Sequence, residues 1–459
     1  MKKLLIFKIA CIFCMAGILA GCEDFLEVEV PKDQIDKNKV FNDEELATAA
    51  LTQIYSLMRF NGFLSGNTSG CGILLGCYTD ELEATVSHAA AFKNFYEGTV
   101  LPNNEDVKLL WDSSYKQIYM ANTMIEGLEE ASQLNKEKRN QLLGEALAIR
   151  GLLHFYLSQT FGDVPYIKTT DYTINKQVHK DSHDKVMNLV VEDFLRAESL
   201  LNVQYPSQER VRINQAVVQS LLARVYLYMH DWVAAQYYAQ TVINYNMYDL
   251  EDLDRVFLRD SRSAIWQFKP EYEGKSPLEG DAYIFESLPA PKVKMNPLFL
   301  QQFEPGDLRK VSWLKFVGSD SLNCHVFKYK SNGGSKSMIS SEYSVIIRIE
   351  EMYLIAAEAA AELQDWLVFN NMLNKIRNRA GLPDLSIANT EMAITALLKE
   401  RKVELFCEYG HNFYDLKRRG RLNELKEVKP NWQPHFELLP LPEAELVLNP
   451  KLLPQNNGY

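Results

Sequence analysis

The stretches LLARVYLYMHDWVAAQYYAQTVINY (221–245) and IAAEAAAELQDWLVFNNMLNKIRNR (355–379) can be laid over each other without a gap. In both, a run with small residues on one face leads into an Asp-Trp dipeptide, at residues 231–232 and 365–366. Apolar residues recur at helical spacing on either side of that dipeptide. Each stretch therefore predicts two helices joined by a short turn.

Ala223 superposes on Ala357 in this alignment, and small side chains at such positions let two helix axes approach closely. The pairs resemble the helix–turn–helix of tetratricopeptide repeats, in which stacked pairs bury a continuous core. An alternative is that both turns favour aspartate only because it caps a helix N-terminus. We predict a mainly α fold, a tetratricopeptide-like helix-pair scaffold with few short strands.

Other elements follow from the same periodicity. Asn42 is expected to cap a helix that continues to Leu57, and the stretch from Gly62 to Gly76 is expected to be irregular. Further helices are predicted at about 105–131, 136–159, 183–201, 212–229, 232–245, 348–363, 366–380 and 391–408. Strands are predicted at 263–269, 324–330 and 437–440. The proline-rich segment 246–347 is predicted to be an irregular subdomain, because a structureless loop of that length is rare.

Residues 1–22 read MKKLLIFKIACIFCMAGILAGC, with three lysines, an uncharged apolar run and small residues before Cys22. This order predicts a secretory signal peptide. Leu-Ala-Gly-Cys resembles a bacterial lipobox, in which the cysteine thiol receives a lipid and becomes the mature N-terminus. A plain signal peptide and a membrane-spanning anchor are the alternatives, although the apolar run is well short of the roughly 20 residues of a span.

The composition describes an ordinary globular chain of 459 residues with 47% hydrophobic residues and a net charge of −11. Removing residues 1–21, which carry three lysines and no acid, leaves 438 residues with a charge of −14. Such acidity is unsuited to binding phosphate backbones. The 23 tyrosines, 22 phenylalanines and 6 tryptophans suit uncharged ligands that stack on rings.

Four cysteines remain beyond Cys22, which is too few for a disulfide framework. Cys71 and Cys77 are close enough in sequence for a local bridge, and two unpaired thiols are the alternative. No His or Cys spacing resembles a zinc site, and no cofactor is expected.

Motifs of common enzymes are missing from the sequence. The glycine-rich run at 66–72 has no lysine of a phosphate loop, and neither Gly-x-Ser-x-Gly nor His-Glu-x-x-His occurs. Acidic pairs at 80–81 and 350–351 could serve a glycosidase only by facing one cleft. His154 is interpreted as a partly buried core residue and His411 as part of a polar turn.

Charged residues near the chain's end are interpreted as structural rather than catalytic. We expect them to form interhelical ion pairs that join the C-terminal helices to an irregular segment. The residues concerned are Glu351, Glu358, Arg401, Glu404, Glu408, Arg418 and Arg419.

Six blocks, in order and spread over nearly the whole chain, resemble the SusD/RagB family of outer-membrane nutrient-binding lipoproteins. They are CEDFL at 22–26; EALAIR at 145–150 with HFY at 154–156 and FGDVP at 161–165; ARVYLY at 223–228; IRIEEMYLIAAE at 347–358 with RNRAGL at 377–382; ERKVEL at 400–405 with FYDLKR at 413–418; and LPLPE at 439–443 with NP at 449–450 and QN at 455–456. One departure is His411, where family members usually have arginine, so any ion pair of that arginine is in doubt.

The resemblance implies a cell-surface protein that is not an enzyme. Such proteins cover a TonB-dependent barrel transporter of the SusC type, capture an oligosaccharide or in some members a peptide, and release it into the barrel. It also implies an irregular, loop-rich ligand-binding face on the helical scaffold. The acids after Cys22 look like the surface-export signal of these lipoproteins, which places the chain on the outer face of the outer membrane.

The predicted organisation is a signal peptide at 1–21, a lipidated acidic tether at 22–41, a helical region at 42–245 and a C-terminal region at 246–459. The last comprises the irregular insert 246–347, helical pairs at 348–408 and an extended segment at 409–459.

Two loop regions carry the rings and amides that a sugar site needs, since rings stack on CH faces while polar groups bond hydroxyls. The ligand-binding candidates are Asp80, Phe92, Asn94, Phe95 and Tyr96 in one region, and Trp266, Tyr272, Tyr283 and Phe285 in the other. The main hypothesis is glycan capture. The others are a peptide cargo, a surface glycosidase, and a scaffold whose helical grooves hold only protein.

Overall fold

Helices form most of the chain in a computed structural model that describes residues 37–85, 91–319, 322–333 and 338–459. The predicted signal peptide, the lipidation site Cys22 and most of the predicted tether lie outside these ranges. The first helices are α1 (Lys37–Asn42), α2 (Glu44–Phe60), α3 (Cys71–Tyr78), α4 (Phe92–Glu97), α5 (Glu105–Glu130), α6 (Lys136–Phe161), α7 (Tyr172–Asn175), α8 (His183–Leu200), α9 (Gln215–Tyr228) and α10 (Trp232–Ile243).

The second half of the chain contains further helices and most of the strands. The helices are α11 (Leu278–Tyr283), α12 (Arg309–Ser312), α13 (Ile349–Glu362), α14 (Trp366–Arg379), α15 (Thr390–Glu404), α16 (His411–Arg418) and α17 (Glu443–Leu448), with 3-10 turns at Phe299–Gln302, Leu422–Glu427, Pro434–Glu437 and Pro450–Leu452. The strands are β1 (Leu82–Ala84), β2 (Ala264–Phe268), β3 (Val293–Met295), β4 (Leu314–Phe316), β5 (Cys324–Val326) and β6 (Ser344–Arg348), paired antiparallel as β1–β3, β2–β6 and β4–β5.

The two Asp-Trp turns have the same backbone geometry. Asp231 caps α10 with φ −85° and ψ 83°, and Asp365 caps α14 with φ −84° and ψ 81°. Each carboxylate accepts a hydrogen bond at 3.1 Å from the backbone N–H three residues later. The preceding residues His230 and Gln364 share a left-handed φ of 59° and 61°. Aspartate therefore caps the second helix of both pairs, and the two pairs are joined by turns of the same geometry.

Close packing of the pairs follows from the small residues. Ala223 and Ala357 are both fully buried, and α13 packs against α10 and α14. Buried residues from the first helices to the C-terminal segment belong to one continuous hydrophobic cluster. The mainly α, tetratricopeptide-like scaffold with few short strands is therefore confirmed.

Some helix boundaries differ from the prediction, because side-chain hydrogen bonds determine which residue caps a helix. Asp43, not Asn42, caps α2, because its carboxylate accepts hydrogen bonds from the N–H groups of Glu45 and Leu46 at 2.9 and 3.0 Å. The prediction of an irregular stretch up to Gly76 is wrong from Cys71 onward. There α3 forms despite two glycines, because all eight of its residues are buried.

Gly72 is needed within α3 for a close approach. A Cβ atom at this position would lie 2.7 Å from the Tyr283 hydroxyl oxygen and 2.8 Å from the carbonyl oxygen of Cys407. The helix predicted at 391–408 ends at Glu404, since Cys407, Tyr409 and Gly410 adopt left-handed φ values of 57°, 44° and 80°. The missing Cβ atom at Gly72 and the left-handed residues after α15 let the segment that follows α15 pack directly on α3.

The last predicted strand, at 437–440, is wrong. A 3-10 turn spans Pro434–Glu437, and the N–H of Leu439 then donates to the carbonyl of Thr160 at 2.9 Å. The segment 437–440 therefore hydrogen-bonds to the end of α6 and does not join a sheet. The other two predicted strands are present in shortened form, as β2 and β5.

The predicted C-terminal ion pairs are confirmed. Glu404 on α15 receives guanidinium groups from the insert, from β6 and from α14. Other pairs of these residues include Arg224 with Glu351, Arg348 with Glu408, Arg401 with Asp415, Arg418 with Glu358 and Arg419 with Glu362.

Candidate functional site

A cleft of about 380 Å³ opens where α4 meets the β1–β3 corner and the loop before the last 3-10 turns. We call it the Tyr96 cleft. Its defining residues are Tyr96, Asn296, Leu298, Lys429, Asn431 and Trp432. Three distant parts of the sequence thus supply its walls.

Tyr96 is held in place by Lys429. The ammonium nitrogen lies 4.4 Å from the ring centroid and donates to the carbonyls of Tyr96 and Cys77 at 2.9 and 2.6 Å. Burial lowers the pKa of Lys429 to about 8. The two backbone contacts and the cation–π contact fix the tyrosine at the end of α4, so its ring is preorganised for a ligand.

Trp432 forms the inner wall of the cleft. Its ring packs edge-on against Tyr78, with centroids 5.3 Å apart, and only 3% of the residue is exposed. The indole Nε1 is buried and has no hydrogen-bond partner among the described residues. Buried donors are rarely left unpaired, so an ordered water is the expected partner of this N–H.

The rim of the cleft is acidic and polar. Glu83 lies 3.2 Å from Lys294, and Glu97 lies 3.5 Å from Lys93. The side-chain oxygen of Asn296 accepts from the N–H of Leu298 at 2.9 Å. Ring faces beside carboxylates and amides fit a ligand that presents both CH faces and hydroxyl groups.

The first group of predicted ligand residues is only partly in the cleft. Tyr96 lines it, and Phe95 is buried behind it. Asn94 contacts Thr99 and Asn104 at 3.1 Å through its own amide. Phe92 is a core residue, and Asp80 is buried against Lys402 and Asn412. Burial thus removes Phe92 and Asp80 from a surface site.

The second group does not join the first. Trp266 is fully buried between Tyr55 and Phe268. Tyr283 is buried, with its hydroxyl donating to the Cys407 carbonyl at 3.2 Å, and Phe285 is buried with its ring 4.9 Å from that of His325. Tyr272 is 60% exposed but does not line the Tyr96 cleft. Aromatic residues in the insert were predicted as ligand contacts, but most of them fill the core of the insert.

The C-terminal part of the cleft was missed from the sequence. Lys-Pro-Asn-Trp at 429–432 combines a cation, a rigid turn, an amide and an indole within four residues. This combination was a usable signal. This segment lies far along the chain from the first loop region, so the sequence does not show that the two regions meet. Only in the folded chain does Trp432 pack against Tyr78.

A buried carboxyl group lies beneath the cleft. The backbone carbonyl of Glu81 accepts from the N–H of Asn296 at 2.9 Å, and its side chain accepts from the N–H of Cys407 at 3.3 Å. Burial, and then the nearby Asp80 carboxylate, raise the pKa of Glu81 from 4.5 to about 8. The folded protein therefore holds a proton on Glu81 at neutral pH.

Glu81→Gln is expected to stabilise the fold above pH 5. The unfolded chain releases the Glu81 proton at about pH 4.5, so the wild type loses stability as the pH rises from there to about 8, by up to about 1.4 kcal/mol per pH unit. Glutamine carries no such proton and keeps the acceptor for Cys407. Urea unfolding at pH 5, 6.5 and 8 should show a gain that grows with pH. The matched control is the exposed Glu427→Gln, for which an equal gain would contradict the prediction.

The burial of cysteine and histidine side chains decides three further interpretations of the sequence. Cys71 and Cys77 are free and buried, so the unpaired alternative is correct. His154 is a core residue whose Nδ1 donates to the carbonyl of Arg150 at 2.9 Å and whose pKa burial lowers to about 3. His411 is buried beside the Arg224–Glu351 pair, so its assignment to a polar turn is wrong.

No catalytic centre is assembled from the predicted acidic pairs. Glu350 pairs with Arg348 and Arg379, Glu351 pairs with Arg224, and all are buried. Within the described ranges, no group of three or more His, Cys, Asp or Glu side chains is placed to hold a metal ion. None of the described helices has both the length and the apolar character that a membrane span requires.

Two family models match the chain. One, described as starch-binding and associating with the outer membrane, matches residues 24–227, and one described as the SusD family matches residues 319–459. Together they cover about three quarters of the sequence.

Curated relatives match over most of their length. A SusD-like protein P2 from Formosa agariphila is 26% identical, with 96% of this chain and 97% of the relative covered. A SusD-like protein from Bacteroides ovatus is 22% identical, with 89% and 82% covered.

Solved structures share the fold. A SusD superfamily protein from Bacteroides vulgatus has a TM-score of 0.78 at 20% identity, covering 91% of this chain and all of the other. A laminarin-binding SusD-like protein has a TM-score of 0.75 at 22% identity, with the same coverage. Surface glycan-binding protein A from Bacteroides fluxus has a TM-score of 0.76 at 20% identity, again with the same coverage.

Proposed function

The chain belongs to the SusD family, and from this premise we propose that it captures oligosaccharides at the outer surface of the outer membrane. The proposed site is the Tyr96 cleft. Support comes from the starch-binding description of the matching family model and from the laminarin-binding protein among the similar structures. The observation that carries the proposal is the ring of Tyr96, which Lys429 fixes in the wall of a cleft that Trp432 also lines.

A sugar ring fits this arrangement in chemical terms. One CH face would stack on the Tyr96 ring. Hydroxyls at the mouth would donate to Glu83, Glu97 or the amide oxygen of Asn431.

Capture is proposed without hydrolysis. A glycosidase needs two carboxyl groups on either side of the bond to be cleaved, one of them protonated. The pairs Asp80/Glu81 and Glu350/Glu351 lie in the core, where Asp80, Glu350 and Glu351 form salt bridges. The cleft therefore acts by binding and release.

The proposed partner is a SusC-like TonB-dependent barrel transporter in the same membrane. A captured oligosaccharide is too polar to cross a bilayer, so capture is useful only beside a pore. Lipid on Cys22 would keep the protein at the membrane surface and near that pore.

Tyr96→Ala is expected to weaken oligosaccharide binding at least tenfold, because the stacking face is lost. Calorimetric titration of a panel of neutral glycans, with laminarin and starch oligosaccharides included, measures the effect. Tyr237→Ala, an exposed tyrosine on α10 far along the chain from the cleft residues, is the matched control. Tyr272→Ala should also leave affinity unchanged, since Tyr272 lies outside the cleft.

Two results would contradict this proposal. Equal affinity of Tyr96→Ala and wild type would remove the Tyr96 cleft as the site. Peptides recovered with the purified protein, together with no binding to any glycan, would favour the peptide-cargo alternative.

A further inference from the structure

A second pocket of about 420 Å³ lies between the end of α6, the start of α8 and α16. It is distinct from the Tyr96 cleft and shares none of its residues. We call it the cationic pocket, after Lys180, His183 and Lys417. The acids that also face it are Asp163 and Glu437.

Lys417 is a buried ammonium group without a carboxylate partner. Its Nζ donates to the backbone carbonyl of Gln159 at 2.5 Å, and it forms no ion pair within 4.0 Å among the described residues. Burial lowers the pKa of Lys417 to about 8, and the more distant Glu437 only partly opposes this effect. An ammonium group has three donors, so two N–H groups remain for a ligand.

Lys180 also lines the pocket, but it is only partly buried. Its Nζ donates to the carbonyl of Pro454 at 2.6 Å and forms no ion pair within the described chain. Burial lowers its pKa, which Asp163 partly offsets. Two lysines that each rely on a carbonyl oxygen therefore face one cavity.

His183 adds a third group that can carry positive charge. The hydroxyl of Ser158 donates to the carbonyl of Gly162 at 3.0 Å, so its oxygen accepts from Nδ1 of His183 at 2.8 Å. This leaves Nε2 to bind a proton. Burial, and then the charge on Lys417, lower the pKa of His183. His183 is also the first residue of the eighteen-residue helix α8, whose N-terminus carries partial positive charge.

The acidic neighbours only partly offset these cations. Asp163 accepts the backbone N–H of His183 at 2.9 Å and is exposed, as is Glu437. Arg418 is already paired with Glu358 and Asp415, and the exposed His230 stacks on Trp232 at 5.0 Å.

Helix capping accounts for only part of this arrangement. The last carbonyls of α6 are satisfied by Gly162 N, Lys417, Leu439 N and Asn456. Lysine at a helix C-terminus is favourable. A cap needs one N–H from one lysine, however, and explains neither Lys180 nor the cavity between the two ammonium groups.

We propose that the cationic pocket binds an oxyanion, a carboxylate or a phosphate, carried on a small polar molecule of sugar size. The two ammonium groups would contact the anion. The pocket falls within the size range of ligand sites, and Tyr228 provides a ring at its edge. This inference goes beyond the proposed function, because it concerns a separate pocket and a charged ligand.

Calorimetric titration of the whole mature protein with inorganic phosphate, glucuronate, glucose 6-phosphate and glucose tests the inference. At least one anion should bind, and glucose should not bind at this pocket in the Tyr96→Ala background. Lys417→Gln and Lys180→Gln should each weaken anion binding at least tenfold. The matched control is Lys116→Gln, an exposed lysine on α5, which should leave binding unchanged.

The arms of the experiment separate the possible sources of the anion. Binding of free phosphate indicates a phosphate site, whereas binding of glucuronate alone indicates an acidic sugar. Affinity should fall between pH 7 and 9 as Lys417 loses its proton. If Lys417→Gln unfolds because the α6 cap is lost, Lys180→Gln still tests the pocket.

Absence of binding by all three anions at millimolar concentration would overturn the inference. Anion binding that neither lysine variant changes would also overturn it. Loss of glycan binding in Tyr96→Ala is independent of both outcomes, so this inference and the proposed function can fail separately.

Discussion

Replacing Glu404 by glutamine is expected to reduce the free energy of unfolding by about 3–5 kcal/mol, the range for breaking a buried ion pair from one side. The Glu404 carboxylate is fully buried. Arg348 and Arg379 contact one oxygen at 2.5 Å, and Arg309 contacts the other at 2.9 Å. Glutamine keeps the size of the side chain but removes its charge and places an N–H₂ group against guanidinium donors.

The effect should be large because the three arginines come from separate elements. Arg309 lies on α12 of the insert, Arg348 at the end of β6 and Arg379 on α14. Burial alone would raise the pKa of Glu404, but the three guanidinium groups more than offset burial and hold that pKa well below its ordinary value. Loss of the carboxylate leaves cations buried without sufficient compensation at the junction of insert and scaffold.

Urea unfolding of wild type and variant at pH 7 measures this effect. Glu424→Gln is the matched control, because Glu424 forms an exposed pair with Arg421 and should contribute less than about 1 kcal/mol. A Glu404 variant no less stable than the Glu424 variant would contradict the structural role of the network. The difference between the two variants should shrink in acid, because stability from a lowered carboxyl pKa is present above pH 4.5 and lost as the pH falls.

Replacing Cys22 by serine is expected to release the protein from the membrane. A serine hydroxyl cannot form the thioether through which a lipobox cysteine carries its diacylglyceryl group. Two or more acyl chains give stable attachment, and none remain without the thiol. None of the described helices is suited to spanning a membrane in their place.

The measurement is the fraction of protein in the membrane pellet, together with the mass of the mature N-terminal peptide. Cys14→Ser is the matched control, since Cys14 lies in the same leader but before the predicted cleavage site. The control should remain membrane-bound with acyl mass on Cys22. Firm surface attachment of the Cys22 variant, or wild-type protein without acyl mass, would contradict the proposed anchor.

Helix positions were largely predictable because their signals are local. The periodic apolar faces of α5 and α8 and the aspartates at 231 and 365 define helices within a few residues. The helix α3 was missed for the opposite reason. Its two glycines disfavour a helix locally, and it forms because the surrounding core buries the whole segment.

The candidate site was predictable only at Tyr96. Rings of tyrosine and tryptophan look alike in sequence whether they face a ligand or the core, so Trp266, Tyr283 and Phe285 were named on the same grounds as Tyr96. Trp432 was omitted because nothing near it in sequence resembles the first loop region. Burial, which separates these cases, depends on contacts between distant segments.

The helix pairs and the family blocks follow from the sequence without the fold, because each rests on spacing within a short segment. Tertiary structure alone decided which rings stay accessible, which acids keep a proton and which lysines lack a partner. These properties depend on desolvation and on groups such as Tyr96 and Lys429, which lie hundreds of residues apart along the chain and side by side in the fold.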